Sequence, residues 1–336
     1  MDAPATTAPA FGNDRQSSDD RPRLVETLAN PIPDTARPLW IDTPDGVRLR
    51  VVRWDPAVRP SRGTVLLVPG RAEWVEKYFE TAEDFRARGF GVVAFDWRGQ
   101  GLSDRLTGNV RVGHVERFED YVIDLETVIR DVALPDCKAP FHLVAHSMGG
   151  LVTLLAGPRI TSRIRRMVLL APLVAFGRAL PLPEGVLNGL AASFTFVGLG
   201  TLPAGRPTRP EPLPFVGNRL TGDPMRFSRN RAILDELPEL ELGPPSFGWL
   251  HAAHRAMKAV RRPALMAAHT VPTLFVSAGA DRVVSSPAIE AYALALRAGA
   301  YLDIPGARHE LLQERDTVRE PLMAAIDAFV PGTGED

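Results

Sequence analysis

Between Thr64 and Leu170 the chain alternates short, mostly apolar runs with longer stretches of helical spacing, and few folds accept that rhythm. Thr64–Val68, Gly91–Phe95, Phe141–Ala145 and Met167–Leu170 have the composition of strands buried on both faces of a parallel sheet. From Trp74 to Arg88, Trp74, Tyr78, Ala82 and Phe85 share one helical face, and Gly89 follows where a C-cap is needed. Phe118–Val132 and Met148–Ala156 predict two more helices. The rhythm resumes with strand Thr273–Ser277, helix Ser286–Arg297, strand Tyr301–Ile304 and closing helix Thr317–Phe329. Strands and helices in this order predict a mostly parallel, doubly wound α/β sheet. Ahead of it, Leu39–Thr43 and Val47–Trp54 flank Pro44-Asp45-Gly46 and predict a hairpin.

Two regions break the pattern. Residues 1–36 hold five prolines, six acids and three arginines with almost no apolar periodicity, so a disordered tail is expected there, with order beginning near Leu39. Residues 173–262 lose the alternation: prolines and glycines crowd Pro181–Pro214, and helical pieces return only near Met225–Leu237 and Trp249–Val260. An irregular insertion of this length inside an α/β domain predicts a functional cap. The expected layout is therefore a tail at 1–36, a core at 37–172 and 263–332, and a cap or lid at 173–262.

Composition narrows the partners. A formal net charge of −1 argues against nucleic acid and against a general attraction to anionic membrane. Three lysines among 39 basic residues point to GC-rich coding, hence to a bacterial genome, rather than to a phosphate-binding surface. Cys137 stands alone, which excludes an intramolecular disulfide and a cysteine metal cluster and fits a reducing compartment. Neither a signal peptide nor an apolar span of membrane length is expected, so the cytoplasm is the default location.

The chemistry lies at Ala145-His146-Ser147-Met148-Gly149-Gly150, where a buried strand runs straight into a helix. A turn this sharp strains the serine backbone and projects its hydroxyl above the sheet, and it needs small residues two places to either side. Glycine is usual at both flanks; Ala145 departs from that by one methyl group. A serine here, rather than a carboxylate, argues against alkyl-enzyme chemistry. The hydroxyl needs a base, and the base an orienting acid, both C-terminal to the serine on a sheet of this kind. Asp281 follows the strand Thr273–Ser277 and His309 follows Tyr301–Ile304, so both reach the carboxyl edge in the required order.

Other candidates fit less well. Asp303 lies inside a strand and Glu310 adjoins the histidine. His146 is the variable position of the turn, His142 is on its strand, and His114 has no assignable role. His251 and His254 share a helix face at metal-ligand spacing but lack a carboxylate or cysteine partner. The two oxyanion donors are expected to be the backbone amides of Met148 and of Arg71, the latter after Gly70 in the loop beyond the first buried strand. The loop Asp96–Asp104 lacks dinucleotide-binding spacing and is expected to pack beside the catalytic loops.

With those residues in place a family resemblance is visible. Gly70-Arg71-Ala72-Glu73, Glu76-Lys77-Tyr78, Asp96-Trp97-Arg98-Gly99-Gln100-Gly101, Gly113-His114-Val115 and His146-Ser147-Met148-Gly149-Gly150 resemble bacterial lysophospholipases. These group with monoacylglycerol lipases among the serine-aminopeptidase-like α/β hydrolases. The resemblance runs from about Leu39 to Val330 and takes in Leu220–Pro224, Arg229–Arg231 and Trp249–Met257. It implies the α/β-hydrolase fold and hydrolysis of a lipid-like carboxylic ester without a cofactor. It also implies Ser147 as nucleophile, Asp281 as acid and His309 as base. The family's histidine-glycine before the oxyanion loop is here Pro69-Gly70.

Two other readings stay open: an aminopeptidase or amidase, which needs carboxylates to hold a substrate ammonium, and a non-enzymatic binding module. The expected cap carries eleven basic against seven acidic residues, a surplus of four that leans toward an anionic headgroup. Its apolar residues, Leu190, Phe194 and Phe196 foremost, are expected to wall an acyl chain. Transient contact of the cap with a membrane surface and the oligomeric state are left open.

Overall fold

Apolar runs of four or five residues must be covered on both faces, and the chain does this by stacking them in one sheet. The computed structural model describes residues 21–178, 183–205 and 214–331. Eight strands lie in the order β1-β2-β4-β3-β5-β6-β7-β8. β1 (Arg37–Asp42) and β2 (Arg48–Trp54) form the expected hairpin, closed at Gly46 with a φ of 83°. β2 also runs antiparallel to β4 (Phe90–Phe95). β3 (Gly63–Val68), β4, β5 (Phe141–His146), β6 (Ile164–Leu170), β7 (Thr273–Ala278) and β8 (Gly299–Ile304) are parallel. Every residue of β3, β4, β5 and β7 is buried, as a sheet covered on both faces requires.

The strand order places the site. From β3 the chain steps outward to β4, then returns to the other side of β3 as β5. The loops after β3 and β5 therefore part at the carboxyl edge, where a sheet of this kind opens a crevice.

Helices follow the predicted spacing, with local differences. Trp74–Arg88 starts as a 3-10 turn (Val75–Tyr78) before becoming α1 (Phe79–Ala87). α2 (Phe118–Val128) passes through a π turn (Ile129–Ala133) into the short α3 (Leu134–Asp136). α4 (Met148–Ile160) leaves β5 directly.

The insertion between β6 and β7 holds α5 (Glu184–Phe196), α6 (Pro224–Glu236) and α7 (Phe247–Val260). α5 was not expected, because Gly185 and Gly189 interrupt it and its apolar residues do not form one stripe. Leu187 and Ala191 are buried while Val186, Leu190 and Phe196 are exposed. α6 is capped by Asp223, whose carboxylate accepts from the amides of Met225 and Arg226. Three more helices complete the core: α8 (Pro263–Ala268), α9 (Ser286–Ala295) and α10 (Asp316–Phe329).

The expected disordered tail is partly corrected. Residues 1–20 lie outside the described residues, but 21–36 pack on the domain. Val25 is buried with Trp74, Ile233, Leu237 and Leu240, and the Asn30 side chain donates to the Glu76 carbonyl at 2.9 Å. A few anchors suffice here, without any periodic apolar face for the sequence to display.

Candidate active site

Ser147 sits between β5 and α4 with φ 50° and ψ −113°, a conformation seldom taken by residues other than glycine. Two bonds hold it there. Its amide donates to the Leu170 carbonyl and its own carbonyl accepts from Leu173, both at 2.9 Å. The end of β6 and the loop just after it thus clamp the turn. A Cβ on Gly149 would lie 2.6 Å from the Val68 carbonyl oxygen and closer still to that of Pro69, which explains the small residue at that flank. The methyl group of Ala145, at the other flank, is fully buried and accommodated.

The three residues singled out from sequence meet at this turn. His309 Nε2 lies 2.9 Å from Ser147 Oγ, and His309 Nδ1 lies 2.7 Å from Asp281 Oδ2. The other oxygen of Asp281 accepts from the amides of Val283 and Val284 at 2.7 and 3.2 Å, so the carboxylate is fixed before it meets the imidazole. With Nδ1–H donated to Asp281, the lone pair of Nε2 faces the serine hydroxyl. Asp303 instead accepts from Ser277, and Glu310 pairs with Lys77.

The two expected oxyanion amides are those of Arg71 and Met148. In the loop after β3, Gly70 donates its amide to Glu73 and Ala72 donates to Gln100 Oε1, while Arg71 between them donates to no described group. Met148 likewise has no described acceptor. Gln100 brings the loop after β4 against the site, as the sequence led us to expect.

The sequence did not disclose the charged cluster beneath these groups. Glu73 accepts from Lys77 Nζ at 2.8 Å, Tyr78 Oη at 2.6 Å and His146 Nδ1 at 3.1 Å. Lys77 also reaches Glu310 at 2.6 Å. His146 Nε2 lies 3.0 Å from the backbone carbonyl of His309. Both ring nitrogens of His146 thus face acceptors, and only an imidazolium can donate to both. Burial opposes that charge, but Glu73, its hydrogen bond and Glu310 outweigh it and raise the His146 pKa. Burial likewise opposes ionisation of Glu73, yet Lys77 and His146 hold its carboxyl well below the usual range. Glu73, Lys77, Tyr78 and His146 all lie in the motifs quoted above, but nothing in their sequence spacing links them.

The expected acyl-wall residues do not line the apolar cavity bordered by Ala72 and Glu310. Phe196 is 92% exposed, Leu190 is exposed, and Phe194 stacks on Phe247 with ring centroids 4.3 Å apart. An outward-facing ring cannot wall a cavity. A cavity of about 200 Å³ lies instead against α6, lined by Trp74, Leu220, Phe227, Leu234 and Leu242 and bordered by Ala72 and Glu310. Among the remaining histidines, His254 meets Glu184 at 3.1 Å, His251 meets Asn188 at 3.4 Å, and His114 meets Ser246 at 2.8 Å.

The sequence profile of the family described as serine aminopeptidase, S33 matches residues 59–316, from ahead of β3 into α10. The chain belongs to that family. Within and around the S33 match, the chain is 31% identical to lysophospholipase L2 of Escherichia coli (strain K12), covering 85% of this chain and 84% of that protein. It is 25% identical to monoglyceride lipase of Rattus norvegicus over 81% of this chain and 87% of the relative. The fold is that of a solved soluble variant of monoglyceride lipase from Saccharomyces cerevisiae, with a TM-score of 0.70 at 18% identity over 88% and 95% of the two chains. The eight-stranded sheet is accordingly that of an α/β hydrolase.

Proposed function

We propose that this chain is a serine ester hydrolase that cleaves carboxylic esters of lipid-like substrates through an acyl-enzyme on Ser147. The relay Ser147–His309–Asp281, at 2.9 and 2.7 Å with Ser147 held in its strained turn, is the observation that carries this reading. His309 Nε2 takes the hydroxyl proton as Ser147 Oγ adds to the ester carbonyl carbon. The amides of Arg71 and Met148 receive the developing oxyanion, and Asp281 stabilises the imidazolium. His309 then returns the proton to the leaving alkoxide as the acyl–oxygen bond breaks, and activates water to release the fatty acid.

The names of the relatives, lysophospholipase L2 and monoglyceride lipase, support an acylglycerol-type substrate. In this reading residues 173–262 are the cap, and the apolar cavity against α6 takes the acyl chain, each buried methylene contributing about 0.8 kcal/mol. The exposed apolar residues of α5 support a transient contact with a membrane surface. Cys137, a free thiol, supports the cytoplasm as the compartment. An aminopeptidase needs a carboxylate to hold a substrate ammonium. The acids beside the site are already engaged, Glu73 by Lys77, Tyr78 and His146, and Glu310 by Lys77.

A matched panel tests this: 1-palmitoylglycerol, palmitoyl lysophosphatidylglycerol, p-nitrophenyl butyrate and alanine p-nitroanilide. Hydrolysis of the esters, with the anilide slower by orders of magnitude, is the expected result. A preference for the anilide would replace the ester reading with the peptidase one.

A further inference from the structure

The guanidinium of Arg71 plays no part in the steps above. It leaves the oxyanion loop, donates from Nη2 to the Gly243 carbonyl and lies over the ring of Trp249, 5.5 Å from its centroid. Its Nε is buried without a partner. Among the described residues no carboxylate pairs with it, whereas Arg50, Arg98, Arg226 and Arg319 each meet at least one. Burial, offset only by the Tyr121 oxygen, lowers the Arg71 pKa to about 10, which leaves it charged at neutral pH. A sheltered cation without a counter-charge is costly and is well explained when a ligand supplies the anion.

We propose that Arg71 recognises the phosphate of a glycerophospholipid leaving group, so that lysophospholipids are preferred over neutral monoacylglycerols. This rests on the ester-hydrolase reading and names its substrate class. A guanidinium offers the planar fork that suits phosphate oxygens. Its reach is appropriate, because about six bonds separate the ester carbon from phosphorus in a 1-acyl lysophospholipid, and about five separate an arginine Cα from its guanidinium carbon. The same residue thus receives the oxyanion at its amide and the headgroup at its side chain. Gly113 lets the guanidinium seat where it does, because a Cβ there would come within 2.9 Å of Nη2. The surplus of four basic residues in 173–262 adds attraction of the same sign.

The competing role is a tether, with Arg71 merely fastening the insertion through Gly243 and Trp249. The test compares kcat/KM for palmitoyl lysophosphatidylglycerol and 1-palmitoylglycerol in the same neutral micelles, for the wild type, Arg71→Ala and Arg71→Lys. The proposal requires the wild type to favour the anionic lipid. It also requires that preference to fall at least tenfold in Arg71→Ala and less in Arg71→Lys. Glycerol 3-phosphate should inhibit the wild type competitively, a readout independent of how well the variants fold. Equal slowing on both lipids identifies a tether and overturns the proposal. So does a wild type without anionic preference or glycerol 3-phosphate inhibition. Failure of the wild type on p-nitrophenyl butyrate and on both lipids would instead remove the ester-hydrolase reading beneath it.

Discussion

The ring of His146 lies 4.8 Å from that of His309, and its Nε2 sits 3.0 Å from the His309 backbone carbonyl. Its other nitrogen meets Glu73, the carboxylate that also takes the Gly70 amide next to Arg71. One imidazolium therefore joins the loop that carries the base to the loop that carries a proposed oxyanion donor.

Loss of this link should slow the enzyme without removing its nucleophile. His146→Gln leaves buried groups unpaired, at about 1–3 kcal/mol each, so kcat should fall roughly ten- to hundredfold. Because the folded-state pKa of His146 is raised, its stabilisation is present below the ordinary value of 6.5 and is lost as pH rises through the folded value. The difference in Tm between wild type and His146→Gln should therefore be largest at pH 6 and shrink in alkali. A difference that grows in alkali would show that His146 is neutral in the fold.

A second charged cluster fastens α6 to the core. Glu80 of α1 receives Arg226 and Arg229 from α6, with Arg319 of α10 at 3.5 Å. Burial works against the Glu80 charge, but the hydrogen bond from Arg226 and the charges of Arg319 and Arg229 prevail and hold its pKa at about 2. A depressed carboxylate stabilises the fold above its unfolded pKa, near 4.5, and that contribution is lost as pH falls through about 2. Glu80→Gln should lower Tm at pH 7 and flatten its dependence between pH 4.5 and 2. An unchanged acid profile would remove Glu80 from the account of how α6 is held.

Gly149 tests the serine turn. The missing Cβ would meet the carbonyls of Val68 and Pro69, which are backbone atoms of β3 and its following loop and cannot swing aside. Gly149→Ala should cost about 1–3 kcal/mol of stability and lower kcat by displacing the Arg71 amide. Chemical denaturation and ester kinetics measure the two effects. A variant with wild-type values in both would contradict the close approach.

Much of this molecule was legible in its sequence because the signals are periodic or positional. The mostly apolar runs became β3 to β7, and the order of Ser147, Asp281 and His309 along alternating strands brought them together at one edge. What escaped had no such signature. α5 carries glycines and an apolar surface split between buried Leu187 and exposed Phe196, so periodicity neither revealed the helix nor told which residues face inward. Residues 21–36 are fixed by single anchors such as Val25 and Asn30. The network of Glu73, Lys77, His146 and Glu310 joins residues as far as 233 positions apart, a proximity that only the folded sheet creates.

The central claim is that Ser147 attacks the ester. Incubation with a fluorophosphonate, followed by intact-mass measurement and peptide mapping, tests it most directly. One adduct per chain, located on Ser147 and absent from a folded Ser147→Ala variant, is the predicted result, with ester turnover in that variant reduced about a million-fold. Labelling at another residue, or substantial hydrolysis by purified Ser147→Ala, would contradict the account.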